Sequence, residues 1–311
     1  MRALVTGAAG FIGSHLAEYL LAGGDEVVGV DNLSSYYNVG QKRANLSILM
    51  NTQGYSFAEV DLRTAPLEQF VEGAEVVYHL AAQPGVRVSW ASFPSYVENN
   101  VLATQRLLDA ARSCEVSKFV YASSSSVYGN AACYPTHESH LTAPHSHYGV
   151  TKLAGEHLVR LYGQNWNLPT VALRYFTVYG PRQRPDMAIY RLIDSALNGK
   201  RFSLYGDGSQ RRDFTYVSDV VSANAAAGTT PLPPGSVLNI GSPGSVTVAE
   251  LCALVEDITG SSLNLVRLPE QAGDVIQTGG TIADAEKLLG WHPVVSLRDG
   301  VASQVEWQRS V

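Results

Sequence analysis

The sequence predicts an α/β protein built on a doubly wound (Rossmann) parallel sheet, with a smaller C-terminal substrate-binding domain. Three observations carry that prediction. The apolar run Arg2–Thr6 leads into three glycines spaced Gly7-x-x-Gly10-x-x-Gly13, and a helical pattern follows over Ser14–Leu21. Strand-like and helix-like apolar runs then alternate as far as Tyr175. Polar residues suited to holding ligands fall at the carboxyl ends of the strand-like runs, where a parallel sheet presents its site.

The expected strands are Ala3–Thr6, Glu26–Val30, Tyr55–Val60, Val76–His79, Phe119–Ser123 and Thr170–Tyr175. Helical patterns lie between them at Gly13–Leu21, Gly40–Met50, Pro94–Arg112 and Tyr148–Asn165. Beyond Thr177 the rhythm changes, with loop formers at Pro181, Pro185 and Thr229–Gly235. The expected division is 1–176 for a dinucleotide-binding domain and 177–311 for the substrate side. A strand near 236–240 is expected to return to the first domain, and the cleft to lie between the two.

The glycines permit a tight strand-to-helix turn and let a pyrophosphate approach backbone N–H groups at a helix start. Their spacing is not the strict Gly-x-Gly-x-x-Gly form, so the flanking strand and helix supply the needed context. The second strand ends at Asp31, eighteen residues after Gly13. A carboxylate there accepts from both ribose hydroxyls and repels a 2′-phosphate, which favours NAD over NADP. The competing reading is a turn or cap aspartate, since Asn32-Leu33-Ser34 looks turn-like.

Tyr148-Gly149-Val150-Thr151-Lys152 sets a phenol and an ammonium four residues apart, on one face of a helix. A free phenol, with a pKa of about 10, is a poor base at neutral pH, and a nearby positive charge favours its ionised form. Taken alone the pair fits a surface contact as readily. Ser123 to Ser126 close the strand-like run Phe119–Ser123, and a hydroxyl there reaches both the phenol and a substrate hydroxyl. Asn99 fits either a cofactor contact or a polar helix position.

The chain has 311 residues, a net charge of −6 and three scattered cysteines, Cys114, Cys133 and Cys252. The acidic balance argues against nucleic acid and anionic membranes. The cysteine pattern suggests neither a disulfide framework nor a metal site. His137, His140, His145 and His147 cluster in one stretch, but no further ligands accompany them in sequence, so no metal is expected. Met1-Arg2 runs straight into the first strand, and no apolar run approaches a membrane span. A cytoplasmic enzyme is expected.

The glycine loop, Asp61-Leu62, His79-Leu80-Ala81-Ala82, Ser124 and the Tyr148/Lys152 pair together resemble the extended short-chain dehydrogenase/reductase family. Arg174–Arg182 and Gly206–Phe214 narrow the resemblance to nucleotide-sugar epimerases and dehydratases. Phe176–Ala188 with Gln83-Pro84-Gly85-Val86-Arg87 looks most like UDP-glucuronate 4-epimerases. The resemblance covers essentially the whole chain.

It implies NAD held by Gly7, Gly10, Phe11, Ile12, Gly13, Asp31, Asn32, Asp61, Leu62, Leu80, Ala81, Ala82, Gln83, Asn99, Tyr148, Lys152, Tyr175 and Phe176. It implies a UDP-sugar against Arg87, Ser124, Ser125, Ser126, Tyr148, Thr177, Arg184, Arg212 and Asp274, with Arg212 near the diphosphate. Tyr148, Lys152 and Ser124 are the implied catalytic residues. Helices 94–112 and 148–165 match those that pair two subunits in relatives, so a homodimer is expected.

Related dehydratases place an Asp-Glu pair where this chain has Ser125-Ser126, and related decarboxylases place a glutamate at the position of Ser126. Neutral hydroxyls at both positions leave oxidation, rotation and reduction, which is 4-epimerisation through a transient 4-keto sugar. Arg184 is the expected charge partner of a glucuronate carboxylate. The alternatives are a UDP-glucose/UDP-galactose 4-epimerase, a UDP-glucuronate decarboxylase, and a protein that senses NAD without turnover. Intact Ser124, Tyr148 and Lys152 argue against the sensor.

Overall fold

The computed structural model describes residues 1–269 and 275–311. Asp274 lies outside the described residues. In chain order the strands begin β1 (Arg2–Thr6), β2 (Glu26–Asp31), β3 (Tyr55–Glu59), β4 (Val76–His79), β5 (Lys118–Ser124) and β6 (Thr170–Tyr175). They continue as β7 (Thr177–Tyr179), β8 (Phe202–Tyr205), β9 (Arg211–Arg212), β10 (Phe214–Tyr216), β11 (Ser236–Ile240), β12 (Val246–Thr247) and β13 (Leu265–Leu268).

The main sheet has seven parallel strands in the order β11-β6-β5-β4-β1-β2-β3. The chain runs outward from β1 through β2 to β3, then crosses back to β4 on the other side of β1. That reversal opens a crevice at the carboxyl ends of β1 and β4, where α/β sheets bind ligands. Thr6 registers with Val30 on one side and His79 on the other. β1, β4, β5 and β6 are buried along almost their whole length because both faces of the sheet are covered there, whereas β3 at the edge is half-exposed.

The helices are α1 (Phe11–Ala22), α2 (Val39–Leu49), α3 (Glu68–Val71), α4 (Phe93–Val97), α5 (Ala103–Ser113) and α6 (His147–Trp166). After them come α7 (Ala188–Asn198), α8 (Val217–Thr229), α9 (Val248–Thr259), α10 (Ala283–Leu289) and α11 (Leu297–Ser310). On one face of the sheet Leu16, Ala17 and Leu20 of α1 pack with Val220 and Val221 of α8. On the other face Leu107, Leu108 and Ala111 of α5 meet Val159 and Tyr162 of α6. A separate core joins α7, α9 and α11 through Ile189, Leu192, Ile193, Leu251, Val255 and Val301.

The helix expected over 94–112 is not one regular helix. A π-helical turn, Glu98–Leu102, separates α4 from α5. Its Asn100 is buried and ties three segments together. Asn100 Oδ1 accepts from Gln83 N at 2.7 Å, and its Nδ2 donates to Gln83 O at 3.1 Å and Thr151 Oγ1 at 3.0 Å. Among the described residues, no helix is long and apolar enough to cross a membrane.

Candidate active site

The crevice holds two neighbouring cavities that share Tyr36 in their walls. The first is lined by every residue expected to hold NAD except Phe176. At its floor the glycine loop takes a shape only glycine allows. Gly7 has φ +72°, and a Cβ on Gly13 would stand 2.2 Å from the Gly7 carbonyl oxygen. Gly10 caps α1 with no side-chain hydrogen bond, which leaves the first backbone N–H groups of that helix open to an anion.

Asp31 closes the far side of this cavity and is buried. It accepts from Leu33 N at 2.8 Å and Ala9 N at 3.3 Å, and pairs with Lys42 Nζ at 3.3 Å. Lys42 was not visible in sequence, because no spacing rule links the middle of α2 to the end of β2. Asn32, Asp61, Leu62, Leu80, Ala81, Ala82, Gln83 and Asn99 complete the walls. Asp61 is held below the usual carboxylate range by Arg63, whose Nη2 lies 2.7 Å away. A glycine cradle, a bare helix start and a carboxylate at the end of β2 fit a dinucleotide.

Phe176 departs from expectation. Tyr175 lines the first cavity, whereas the Phe176 side chain packs in a small core with Val127 and Tyr128. Phe176 follows the last residue of β6, and its ring turns to that core while Tyr175 faces the cleft.

Tyr148 lines the first cavity, and Ser124, at the end of β5, is near enough to act on its phenol. Ser146 Oγ caps the start of α6 by accepting from Gly149 N at 3.0 Å, which fixes the turn carrying Tyr148. Burial pushes the phenol above its ordinary pKa, while the Arg184 guanidinium and then Ser124 draw it down. Arg184 thus joins Lys152, one helical turn along α6, as a positive charge beside the phenol. The Lys152 Nζ stands 4.4 Å from the Tyr121 ring centroid. Burial draws its ammonium down to about 7, opposed by Glu156 one helical turn on.

Glu156 is fully buried and bound at two points by Arg174, at 2.6 and 2.9 Å, with Ser123 Oγ donating at 2.7 Å. This network ties α6 to β5 and β6 directly beneath the Tyr148/Lys152 turn.

The second cavity, of about 650 Å³, gathers Arg87, Ser125, Ser126, Thr177 and Arg212. Arg87 lies 4.3 Å over the Tyr205 ring, and Arg212 donates to the Arg211 and Ile276 carbonyls. Arg184 is not in this group. It lines the first cavity, and its guanidinium is gripped by Asp186 at 3.0 Å through both Nε and Nη2. A guanidinium already matched to a carboxylate must share or exchange that partner before it can meet the carboxylate of a substrate.

Residues 3–241 match the NAD dependent epimerase/dehydratase family. A Bacillus subtilis (strain 168) protein named uncharacterized UDP-glucose epimerase YtcB is 43% identical over 313 residues, covering 100% of this chain and 99% of its own. UDP-glucuronate 4-epimerase of Thermodesulfobacterium geofontis is 36% identical over 313 residues, covering 98% and 95%. The crystal structure of UDP-glucuronic acid 4-epimerase from Bacillus cereus, in complex with UDP-glucuronic acid and NAD, superposes with a TM-score of 0.96. It is 42% identical and covers 100% of this chain and 99% of that one. With a parallel sheet, a glycine cradle at its switch point and a family match over residues 3–241, this chain belongs to the NAD dependent epimerase/dehydratase family.

Proposed function

We propose that this protein is an NAD-dependent isomerase that interconverts UDP-glucuronate and UDP-galacturonate at C4. The observation that carries the substrate reading is the wall formed by Ser125, Ser126 and Thr177 in the second cavity. Among the described residues lining that cavity the carboxylate is Asp186, and Arg184 already engages it. Eliminating water needs an acid and a base beside the sugar, and that pair is missing among the described residues. Oxidation, rotation and reduction remain. The hydroxyls of Ser125, Ser126 and Thr177 hold the glucuronate carboxylate, and Arg87 and Arg212 serve the diphosphate.

The glycine loop, Asp31, Asn32, Asp61, Leu62 and the Leu80–Gln83 wall hold NAD, which when bound accepts and returns one hydride at the sugar C4. Tyr148 takes the proton of the 4-hydroxyl and later gives one back to the 4-keto oxygen. Ser124 orients that hydroxyl, and Arg184 eases ionisation of the phenol against the burial that opposes it. Lys152 supports the phenol from the next turn of α6. A decarboxylating side reaction is avoided by holding the carboxylate out of line with the C4 carbonyl.

Residues 1–176 form the cofactor side and 177–311 the substrate side, with β11 returning to the first. We place the enzyme in the cytoplasm as a homodimer paired through the helices over 94–112 and 148–165. Their outer faces expose Leu102, Val150 and Leu161.

A neutral-sugar reading, interconversion of UDP-glucose and UDP-galactose, is favoured by one observation. The Arg184 charge is spent on Asp186. Incubating the purified protein with UDP-glucuronate and UDP-glucose in parallel, with products identified by NMR, tests both. We expect UDP-galacturonate and no UDP-pentose. Equal or faster turnover of UDP-glucose transfers the assignment to the neutral hexose.

A further inference from the structure

The histidine-rich stretch before α6 has no part in the chemistry above, yet the fold completes it. Asp284, in the first turn of α10, comes to the loop carrying His137 and Glu138. Suitable donor atoms of the three residues all lie within 4.8 Å of one another. His137 Nε2 is 3.7 Å from Asp284 Oδ2, and His137 Nδ1 is 3.8 Å from Glu138 Oε2.

The Glu138 side chain is only 7% exposed. One of its oxygens, Oε1, accepts from Asn239 N at 2.6 Å. The other, Oε2, is buried and has no hydrogen-bond partner. A buried carboxylate oxygen without a donor is costly, and it turns toward a second carboxylate and an imidazole. A cation would give that oxygen a partner and sit between the two carboxylates.

We propose that His137, Glu138 and Asp284 form a structural binding site for a divalent transition-metal ion of the zinc class. One imidazole and two carboxylates are a hard-to-borderline donor set that zinc accepts. Donors around tetrahedral zinc stand about 3.4 Å apart, so the three side chains close by roughly an ångström.

The exposed positions allow it, since the His137 and Asp284 side chains are 40% and 39% accessible, which also gives the ion its entry path. Binding through Nε2 places the ring proton on Nδ1, 3.0 Å from Ser139 Oγ. That contact replaces the bond Nδ1 now accepts from Ser139 N and orients the ring as outer partners of metal-bound imidazoles do. Water fills the fourth position.

The ion would join two strips of chain already in register. Thr136 N donates to Gly279 O at 2.8 Å, and Thr281 N donates to Thr136 O at 2.9 Å. The same strips supply Thr278 and Val275 to the second cavity, so metal would stiffen the wall of the substrate site.

The test is titration of chelator-stripped full-length protein with zinc chloride by calorimetry, paired with thermal unfolding. Wild-type protein should bind one equivalent and melt at higher temperature with zinc. His137→Ala and Asp284→Asn should each weaken binding roughly ten- to a hundredfold, the scale on which even outer partners matter. No zinc binding, or binding that survives both substitutions, overturns the site. Cobalt substitution of the wild-type protein decides the ligands without any mutation. Visible bands free of sulfur-to-metal charge transfer support the assignment, whereas a thiolate band moves the ion to Cys133 and His140 and overturns it.

Discussion

Arg184 and Asp186 form a two-point ion pair, with Nε and Nη2 each 3.0 Å from a carboxylate oxygen, and the same guanidinium draws down the pKa of Tyr148. Asp186 also accepts from Tyr36 OH at 3.3 Å. A short acid thus decides where the positive charge next to the phenol sits. It fixes Arg184 on the cofactor side of the wall that Tyr36 shares between the two cavities.

Replacing Arg184 with glutamine should therefore act on pH dependence before binding. A base that works as phenolate loses a positive charge that lowers its pKa, so the folded-state pKa of Tyr148 rises. The acidic limb of the kcat/KM profile should move to higher pH, with activity at neutral pH reduced and partly regained in alkaline buffer. An unmoved limb would mean that Arg184 leaves the phenol untouched.

Tyr148→Phe removes the proposed proton carrier and little else. Loss of general acid–base work costs a factor of about 10² to 10⁴ in turnover. UDP-sugar affinity, measured by calorimetry on the variant, should stay near the wild-type value. Turnover within a few-fold of wild type would assign proton transfer to another group.

The hydroxyl wall makes a selectivity prediction. Thr177→Val, or Ser125→Ala with Ser126→Ala, should weaken UDP-glucuronate by roughly ten- to a hundredfold, the worth of a charge-assisted hydrogen bond at about 1.5–3 kcal/mol. UDP-glucose should lose much less. Equal losses for both sugars would place the carboxylate elsewhere.

A redox-neutral cycle gains nothing from exchanging its cofactor, so the protein as purified should carry NAD, detectable in the supernatant after acid denaturation. Gly13→Ala should yield folded protein without it. The new methyl would press on the Gly7 carbonyl at 2.2 Å, backbone against backbone, with no flexible side chain to give way. NAD retained at full stoichiometry in that variant would contradict the cradle.

Glu156→Gln breaks a buried ion pair and leaves Arg174 uncompensated. Such losses cost about 3–5 kcal/mol, readable as a lower denaturation midpoint in urea. Removing this negative neighbour also takes away the influence that holds the Lys152 pKa up, so Lys152 should deprotonate at still lower pH than its present value of about 7.

The parts of this site legible in sequence are those written in local spacing. The glycine loop, Asp31 at the end of β2 and the Tyr148/Lys152 turn each follow from one element meeting the next. Phe176 sits in the single-residue break between β6 and β7, where no period says which way a side chain turns, and its ring packs on Val127 and Tyr128. Lys42 on Asp31, Asp186 on Arg184 and Asp284 beside His137 were out of reach for different reasons. The first and third depend on how helices dock, which no single-sequence period encodes. The second depends on a tight turn, Arg184 to Asp186, whose geometry only the folded loop sets. The π-helical turn at Glu98–Leu102 escaped because its apolar pattern imitates an uninterrupted helix.

β11 is the outermost strand on one side of the main sheet and covers β6, Val237 through Ile240 aligned with Ala172 through Tyr175. It leaves the ribosome some sixty residues after the strand it covers. Until then β6 presents a bare row of amide and carbonyl groups, a template for pairing with another nascent chain. Expression of a fragment ending at 176 should consequently give insoluble material, and a nick between α8 and β11 should be tolerated only while the two pieces stay together.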